Sequence, residues 1–193
     1  PTTKQLNREL IPSVEGVIHL AGFSVANKWT KANKELMISS RISSTEFLCS
    51  YLNEMTTPPS VFVGASASGF YKNSDEIQDE TAEVGSGFLA ELTDQWERAT
   101  SELKTSITKI HLRIGVVLSA NDGALKKLTP IFKAGIGSAV GSGKQYMSWI
   151  TLDDVIGAIH YKLAHPELTG PINFTAPFPV TNAVFTKTLG KVL

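Results

Sequence analysis

Cysteine is nearly absent from the sequence, with only Cys49 among 193 residues. A single cysteine excludes an intrachain disulfide and a cysteine-based metal cluster, and it is typical of proteins from a reducing compartment. The histidines also lack the i, i+4 spacing or the neighbouring second ligand that a metal site needs. They are His19, His111, His160 and His165. We therefore expect a cytoplasmic protein without a metal site.

Net charge and long apolar runs are lacking as well. Eighteen Lys and Arg residues balance eighteen Asp and Glu residues, so no overall field attracts nucleic acid or an anionic membrane. No apolar run approaches the ~18 residues of a membrane span, and no basic segment followed by an apolar one indicates a signal peptide. We expect a globular protein whose partner is a small molecule, with neither nucleic acid nor membrane as a partner.

Short runs of valine and isoleucine alternate with longer segments of helical period, a pattern typical of βαβ units on a parallel sheet. The predicted strands cover residues 16–20, 60–65, 109–118 and 171–175. The predicted helices cover 31–53, 88–103 and 153–163, a segment 123–134 interrupted by Pro130, and a last helix capped by Thr181 or Asn182. The sequence thus predicts a single α/β domain.

Two glycine-rich stretches resemble phosphate-binding motifs without meeting their requirements. GSGFLA, residues 85–90, matches G-x-G-x-x-A, but it follows the acidic stretch DEIQDETAEV and not a buried strand. GSAVGSGKQ, residues 137–145, has five residues between Gly137 and Gly143 where a P-loop has four, and Gln145 replaces the magnesium-binding Ser or Thr. A strand-like stretch, YMSWI, follows it instead of a helix. These departures argue against nucleotide hydrolysis.

Small and hydroxyl-bearing residues end two of the predicted strands. VIHLAG, residues 17–22, ends in alanine and glycine, which lets a flat ligand approach the carboxyl edge, where open parallel sheets bind ligands. GASASGFY, residues 64–71, adds Ser66, Ser68 and Tyr71 at the end of the next strand. These side chains either form a hydroxyl-based site or only satisfy backbone groups at a strand end, and the residues alone leave both interpretations open.

Further stretches follow these two in a recognisable order along nearly the whole chain. The ordered stretches are VIHLAG (17–22), KWTKANKELMISSRISST (28–45), VGASASGFY (63–71), GFLAELTDQWE (87–97), LRIGVVLS (112–119), GSGKQYMSWITLDDV (141–155) and NFTAPFPVTNAVFT (173–186). Together they resemble landmarks of the atypical extended short-chain dehydrogenase/reductases. The nearest subgroup is the NAD-dependent epimerase/dehydratase family proteins, also called SulA-like or cell-division-inhibitor-like epimerases.

This resemblance implies a Rossmann-type, doubly wound parallel sheet that binds NADP or NAD at its carboxyl edge. The implied cofactor-binding residues are Leu20, Ala21, Gly22, Ala65, Ser66, Arg113, Gly115, Val116 and Val117. The implied substrate-binding residues are Ser68, Gln145, Tyr146, Ser148 and Trp149. Ser66 matches the family serine that hydrogen-bonds a substrate carbonyl or hydroxyl.

The Tyr-x-x-x-Lys pair of extended short-chain enzymes is missing from the sequence. In those enzymes the lysine lowers the pKa of the tyrosine, which then acts as a general acid or base. The corresponding helix here has Phe88 and Leu92 at the two positions. We expect Ser66 and Tyr71 to be the catalytic residues, with Tyr71 in place of the missing acid and Arg41 as an alternative cation beside the cofactor.

The resemblance also implies a first strand and a glycine-rich turn before residue 1, and a further segment after Leu193. We expect residues 1–193 to form one incomplete NAD(P)-binding domain, with 123–150 and 171–193 contributing to a small lobe on the substrate side. Helices 31–53 and 88–103 correspond to the pair that commonly forms dimer interfaces in this superfamily. We therefore expect a homodimer.

Two functions are consistent with these residues. The first is an NAD(P)-binding oxidoreductase or epimerase-like protein that acts on a small polyhydroxylated or nucleotide-sugar-type substrate. The alternative is a non-catalytic NAD(P)-binding sensor or interaction module that kept the fold after losing Tyr-x-x-x-Lys.

Overall fold

The computed structural model describes Ile11, residues 13–165 and residues 167–193. Its strands are β1 (Gly16–His19), β2 (Val61–Ala67), β3 (Thr108–Ile114), β4 (Val116–Leu118), β5 (Tyr146–Met147), β6 (Trp149–Thr151), β7 (Gly170–Phe174) and β8 (Val180–Thr181). The main sheet has the order β1-β2-β3-β7, and all its neighbouring strands are parallel. The carboxyl ends of these strands therefore meet at one edge.

Helices cover both faces of the main sheet. They are α1 (Lys31–Ile38), α2 (Ser44–Glu54), α3 (Phe88–Arg98), α4 (Gly123–Lys133), α5 (Leu152–Ala164) and α6 (Asn182–Val192), with a π-helical segment at Ser39–Ser43 and a 3₁₀ turn at Ser68–Phe70. Two N-caps explain where helices begin, because Thr151 accepts a hydrogen bond from the backbone of Asp154 and Thr181 accepts one from Val184. Of the two residues predicted to cap the last helix, Thr181 and Asn182, the structure has Thr181 as the cap.

Among the residues that the structure describes, the core has two parts, one on each face of the main sheet. On one face Val63, Ile110 and Leu112 pack with Val155 and Ile159 of α5. On the other face Phe62 packs with α2 and with the segment after α3, and the buried residues of this cluster are Cys49, Tyr51, Leu52, Phe62, Leu103 and Ile107. Alternating side chains of a strand point to opposite faces, so Phe62 and Val63 serve different halves of the core. The expected doubly wound α/β architecture is confirmed.

The predicted strand 109–118 is wrong in one respect, because the chain leaves the main sheet at Gly115. Beyond Gly115, β4 pairs in parallel with β6 and forms a separate two-stranded sheet. The Gly115 N–H still donates to the Phe174 carbonyl at 3.0 Å, whereas the next N–H, that of Val116, donates to the Ser148 carbonyl at 2.8 Å. The predicted single strand is therefore two strands, β3 and β4, which belong to different sheets.

The predicted helix 88–103 ends earlier, at Arg98. Thr100 explains the early end, since its hydroxyl donates to the Glu97 carbonyl at 2.8 Å and also contacts Nε2 of His111 at 2.9 Å. Such hydrogen bonds from a side chain to the backbone compete with continuation of a helix. The predicted helix 31–53 is present, but its middle is the π-helical segment. Pro130 lies inside one continuous helix, α4, and does not divide it.

The two glycine-rich stretches have the secondary structure predicted for them. The first is a loop that opens a helix, and the second is followed by a strand. GSGFLA opens α3 from a loop, with Gly87 at φ 91° just before the helix. GSAVGSGKQ runs into β5, not into a helix. Within the described ranges, no helix is long and apolar enough to cross a membrane, and no group of three or more His, Cys, Asp or Glu side chains could hold a metal ion.

Candidate functional site

Three polar side chains lie side by side where the strands of the main sheet end. The register pairs Ser66 of β2 with Arg113 of β3, and Arg113 with Asn173 of β7. Paired positions of parallel strands point to the same face, so these side chains form a row on the face covered by α2 and α3. Ser66 and Arg113 are each only 4% exposed. A buried guanidinium needs a partner of opposite charge.

Glu97 of α3 supplies this partner. Its carboxylate accepts hydrogen bonds from Arg113 at 2.9 Å from Nε to Oε1 and at 2.9 Å from Nη2 to Oε2. Two parallel bonds of this kind form the strongest arginine–carboxylate geometry. Ser66 Oγ donates a third bond to Glu97 Oε1 at 2.5 Å. The Ser66 proton is thus directed toward Glu97, inside the protein.

The pair is ionised at neutral pH. Burial by itself disfavours the Glu97 carboxylate, but the hydrogen bonds from Arg113 and Ser66 and the charge of Arg113 outweigh it, so the pKa of Glu97 lies below its usual value. Burial also disfavours the Arg113 cation, yet the hydrogen bonds to Glu97 and Tyr71 and the charge of Glu97 raise the pKa of Arg113. The site therefore contains a buried ion pair.

Tyr71 joins the same set of contacts from the loop after β2. Its hydroxyl donates to Asn173 Oδ1 at 2.6 Å and accepts from Arg113 Nη1 at 3.0 Å. Arg113 also lies 3.5 Å above the centre of the Phe70 ring. We call Ser66, Tyr71, Glu97, Arg113 and Asn173 the Arg113 network. In this network the cation beside the Tyr71 hydroxyl is Arg113 and not a lysine. The Tyr71 proton is bonded to Asn173 Oδ1 within the protein.

Arg41 lies in the π-helical segment, beside the end of β1. Its Nη1 donates to the Phe23 carbonyl at 2.8 Å and to the Met37 carbonyl at 3.4 Å, and its guanidinium lies 5.0 Å from the centre of the Trp96 ring. A Cβ atom on Gly22 would come within 2.9 Å of the guanidinium carbon, so glycine permits this close approach. Burial lowers the pKa of Arg41. No carboxylate of the described residues forms an ion pair with it.

The other predicted cofactor residues lie at the same edge of the sheet. Leu20 and Ala21 follow β1 and are exposed, like the glycine after them. Ala65 precedes Ser66 on β2 and points to the opposite face, where its partner in the register is the core residue Leu112. Residues 115–117 cross this edge after β3. The structure therefore brings the ends of β1, β2 and β3 to one rim, but Ala65, Ser66 and Arg113 are buried there, and the binding role of all these residues stays a prediction.

The predicted substrate residues are divided between separate places. Ser148 and Trp149 lie beside residue 115, since a Cβ on Gly115 would be 2.7 Å from the Ser148 carbonyl oxygen. Tyr146 instead pairs with Thr181 in the antiparallel β5–β8 pair. Near it is an open cavity lined by Asp75, Ser142, Gly143, Lys144, Tyr146, Thr181 and Ala183. The Gln145 amide donates to the Val140 carbonyl at 2.8 Å, and Ser68 begins the 3₁₀ turn after β2.

The structure also contains site residues that the sequence did not predict. Glu97 and Asn173 complete the Arg113 network, and Glu80 Oε1 accepts the backbone N–H of Asn173 at 2.7 Å. The stretches that carry the resemblance include Glu97 and Asn173, but nothing in their local pattern indicates that they meet. Contacts between residues 66 and 97 or 71 and 173 arise only when strands and helix assemble.

A model of the NAD dependent epimerase/dehydratase family matches residues 2–174. The chain belongs to this family. The resemblance and the Rossmann-type fold expected from the sequence are thereby confirmed.

Relatives of this epimerase/dehydratase-family chain are found among both curated sequences and solved structures. The epimerase family protein Mb2239 of Mycobacterium bovis is 39% identical over 196 residues, which cover 100% of this chain and 64% of the relative. The crystal structure of human epimerase family protein SDR39U1 with NADPH has 29% identity and a TM-score of 0.88, and the match covers 94% of this chain and 63% of the human one. The nucleoside-diphosphate sugar epimerase from Corynebacterium glutamicum has 32% identity and a TM-score of 0.82, with coverage of 97% and 40%. The chain thus spans just under two thirds of the length of its mycobacterial relative.

Proposed function

We propose that this chain binds NADP or NAD along the rim formed by Gly22, Ser66 and Gly115. The observation that carries the proposal is the shared carboxyl edge of β1, β2 and β3, where a Cβ on Gly115 would collide with the backbone of Ser148 and a Cβ on Gly22 would displace the guanidinium of Arg41. Open parallel sheets bind dinucleotides at this edge. The NADPH in the human relative and the name of the family support the same assignment.

The family and the polar groups near the rim support a proposal for the reaction. We propose oxidoreductase or epimerase-like chemistry on a small polyhydroxylated or nucleotide-sugar-type substrate, and the name of the Corynebacterium glutamicum relative supports the sugar nucleotide. A bound nicotinamide supplies hydride chemistry. Ser66 would orient a substrate oxygen, and Tyr71, held by Arg113 Nη1 at 3.0 Å, would donate or accept the proton. Both hydroxyls would have to exchange an internal hydrogen bond for a substrate contact.

One observation favours the second function, a non-catalytic NAD(P)-binding module. The Ser66 hydroxyl donates to Glu97 and the Tyr71 hydroxyl donates to Asn173, so both protons are already bonded within the protein. Phe88 and Leu92 bring no proton donor or cation to the positions of Tyr-x-x-x-Lys. A sensor would need the rim to bind the nucleotide, but it would not need a side chain with a proton available for transfer.

Nucleotide binding tests what both functions share. We expect the full-length protein to bind NADPH or NADH, because dinucleotides bind at the carboxyl edge of open parallel sheets, and titration calorimetry with each nucleotide measures this binding. Magnesium-dependent ATP binding serves as the comparison, since the P-loop-like stretch runs into a strand. Binding of ATP without binding of either dinucleotide would contradict the proposal.

Replacement of Tyr71 separates the catalytic function from the non-catalytic one. If Tyr71 transfers the proton, Tyr71→Phe lowers kcat by about 10² to 10⁴-fold in NADPH oxidation with a panel of sugar nucleotides and carbonyl compounds. The free energy of unfolding falls by only about 1 kcal/mol, because one hydroxyl is removed. Tyr161→Phe is the control, since Tyr161 lies on α5 and is 59% exposed. If instead the unmodified protein binds the nucleotide without any turnover, Tyr71→Phe changes neither binding nor turnover. That result would support the non-catalytic sensor and contradict the enzyme.

We also propose that the chain forms a homodimer through helices 31–53 and 88–103. Leu36 and Ile38 of α1 support this proposal, because they are 47% and 38% exposed in the single chain. Light scattering coupled to size-exclusion chromatography measures the mass of the assembly. A mass of one chain at all protein concentrations would contradict the proposal.

A further inference from the structure

An aromatic pair with a lysine stands at the same rim, outside the Arg113 network. Trp29, in the loop after β1, and Phe88, at the start of α3, contact each other edge to face with ring centres 5.5 Å apart. The Lys34 ammonium of α1 lies 4.8 Å from the centre of the Phe88 ring and 5.8 Å from that of Trp29. We call these three residues the aromatic corner. Phe88 occupies the position where the family pattern has its tyrosine.

The aromatic corner is held in place by the loop that carries it. Trp29 Nε1 donates to the Val25 carbonyl at 3.0 Å, which fixes the orientation of the indole. Asn33 Nδ2 donates to the Lys28 carbonyl at 2.7 Å, and Thr30 caps α1 by accepting from the Asn33 backbone. Trp29 is nevertheless 49% exposed. A large ring that is both oriented and half-exposed offers a flat face for a ligand.

The charge of the aromatic corner indicates what kind of ligand it fits. Lys34 is half-buried against the two rings, and no carboxylate of the described residues forms an ion pair with it. Ring faces stabilise an ammonium but leave its N–H donors available to an acceptor. Because the chain has a formal net charge of zero, an anion must be attracted by such local cations. Lys34 is therefore placed to receive an acidic group beside a stacked ring.

We propose that the aromatic corner binds a substrate ring that carries an acidic group, either a carboxylate or a phosphate on a sugar-type ring. The ring stacks on the indole of Trp29, and the acidic group accepts hydrogen bonds from Lys34. This inference rests on the proposed function, which places the reacting ring at this rim. It adds the substrate class, because a neutral sugar would leave the Lys34 ammonium without an anion.

The test uses simple probes and the fluorescence of Trp29. Glucuronate, glucose 6-phosphate and glucose are titrated into the full-length protein and into three variants, Lys34→Met, Trp29→Phe and Lys31→Met. Lys31 is the matched control, because it is an exposed lysine one turn earlier on α1. We expect at least one acidic probe to quench the fluorescence, and Trp29→Phe to abolish that quenching. Lys34→Met weakens the binding of that probe about five- to tenfold, as the loss of one charge-assisted contact requires.

The remaining outcomes decide for or against the aromatic corner. If Lys34→Met weakens the binding of glucuronate only, the acidic group is a carboxylate. If it weakens the binding of glucose 6-phosphate only, the acidic group is a phosphate. Equal binding of glucose and both acidic probes, an equal effect of Lys31→Met, or no quenching by any probe overturns the inference. NADPH binding measured on the same samples keeps the two proposals apart. If NADPH binds while Lys34→Met has no effect, the inference fails and the proposed function stands; if NADPH does not bind, the proposed function fails whatever the sugar probes do.

Discussion

Replacement of Glu97 by glutamine is expected to destabilise the protein by about 3 to 5 kcal/mol. Glu97→Gln keeps the shape of the side chain but removes the charge that neutralises the Arg113 guanidinium, of which only 4% is exposed. Removal of one partner from a buried ion pair costs about this much, because the remaining charge stays buried and unpaired. Ser66 would also lose a charged acceptor. Urea unfolding at pH 7 measures the loss.

A surface ion pair on the same helix provides the matched control. Asp94 and Arg98 form an i, i+4 pair on α3 with 3.0 Å from Nε to Oδ2, and Arg98 is 76% exposed. Exposed pairs of this kind contribute little, so we expect Asp94→Asn to cost less than about 0.5 kcal/mol. If Glu97→Gln were no more destabilising than Asp94→Asn, the buried pair would not stabilise the site as we infer.

The same pair predicts how stability depends on pH. The pKa of Glu97 is lower in the folded chain than in the unfolded one, where a glutamate has a pKa of about 4.3. Between these two values the unfolded chain binds more protons, so the free energy of unfolding rises with pH. The contribution of Glu97 is fully present above the unfolded pKa and is lost as the pH falls through the folded pKa. We therefore expect the stability difference between the natural protein and Glu97→Gln to shrink below about pH 4. A difference that stays constant with pH in acid would contradict this reasoning.

Gly115→Ala is expected to have the second largest effect, on both stability and nucleotide binding. A Cβ at this position would lie 2.7 Å from the Ser148 carbonyl oxygen and 2.9 Å from its carbon, so the backbone itself would have to move. Overpacking of this kind costs about 1 to 3 kcal/mol. The displaced segments, β4 and β6, border the proposed nicotinamide site. We therefore expect NADPH binding to weaken by at least about tenfold, because a small shift of a binding surface loses its contacts. Thermal unfolding and titration calorimetry measure the two effects.

Gly157 of α5 serves as the control for this glycine replacement. A Cβ at Gly157 would meet no atom within 4 Å, and the residue is exposed within a helix. Alanine there is expected to stabilise the protein by about 0.5 to 1 kcal/mol, since glycine is a poor helix former. NADPH binding should not change. Equal effects of Gly157→Ala and Gly115→Ala on nucleotide binding would show that the contact with Ser148 does not shape the site.

Much of the fold could be predicted because its signals are local. The strand at Val61–Ala67 and the helix at Leu152–Ala164 follow from runs of branched residues and from helical periodicity. The absence of Tyr-x-x-x-Lys at Phe88 and Leu92 is equally visible in the sequence. The ordered stretches also indicated the family, which the family model then confirmed.

The break at Gly115 and the early end of α3 could not be predicted in the same way. The run from Leu112 to Leu118 is apolar except for Arg113, and its local pattern is the same whether it stays in one sheet or moves to a second one. Likewise, the end of α3 depends on Thr100, whose hydroxyl reaches His111 on a strand. In both cases the deciding contact comes from a separate element.

By itself the sequence determined the α/β class, the strand ends rich in small residues, and the absence of a Tyr-x-x-x-Lys pair. Only the tertiary structure decided that Ser66 and Tyr71 bond to Glu97 and Asn173, that Arg113 supplies the cation beside Tyr71, and that Lys34 rests on two aromatic rings. The reason is physical. Periodicity and propensity act over a few neighbouring residues, whereas the ionisation and hydrogen bonding of a buried side chain depend on whichever distant groups the fold places around it.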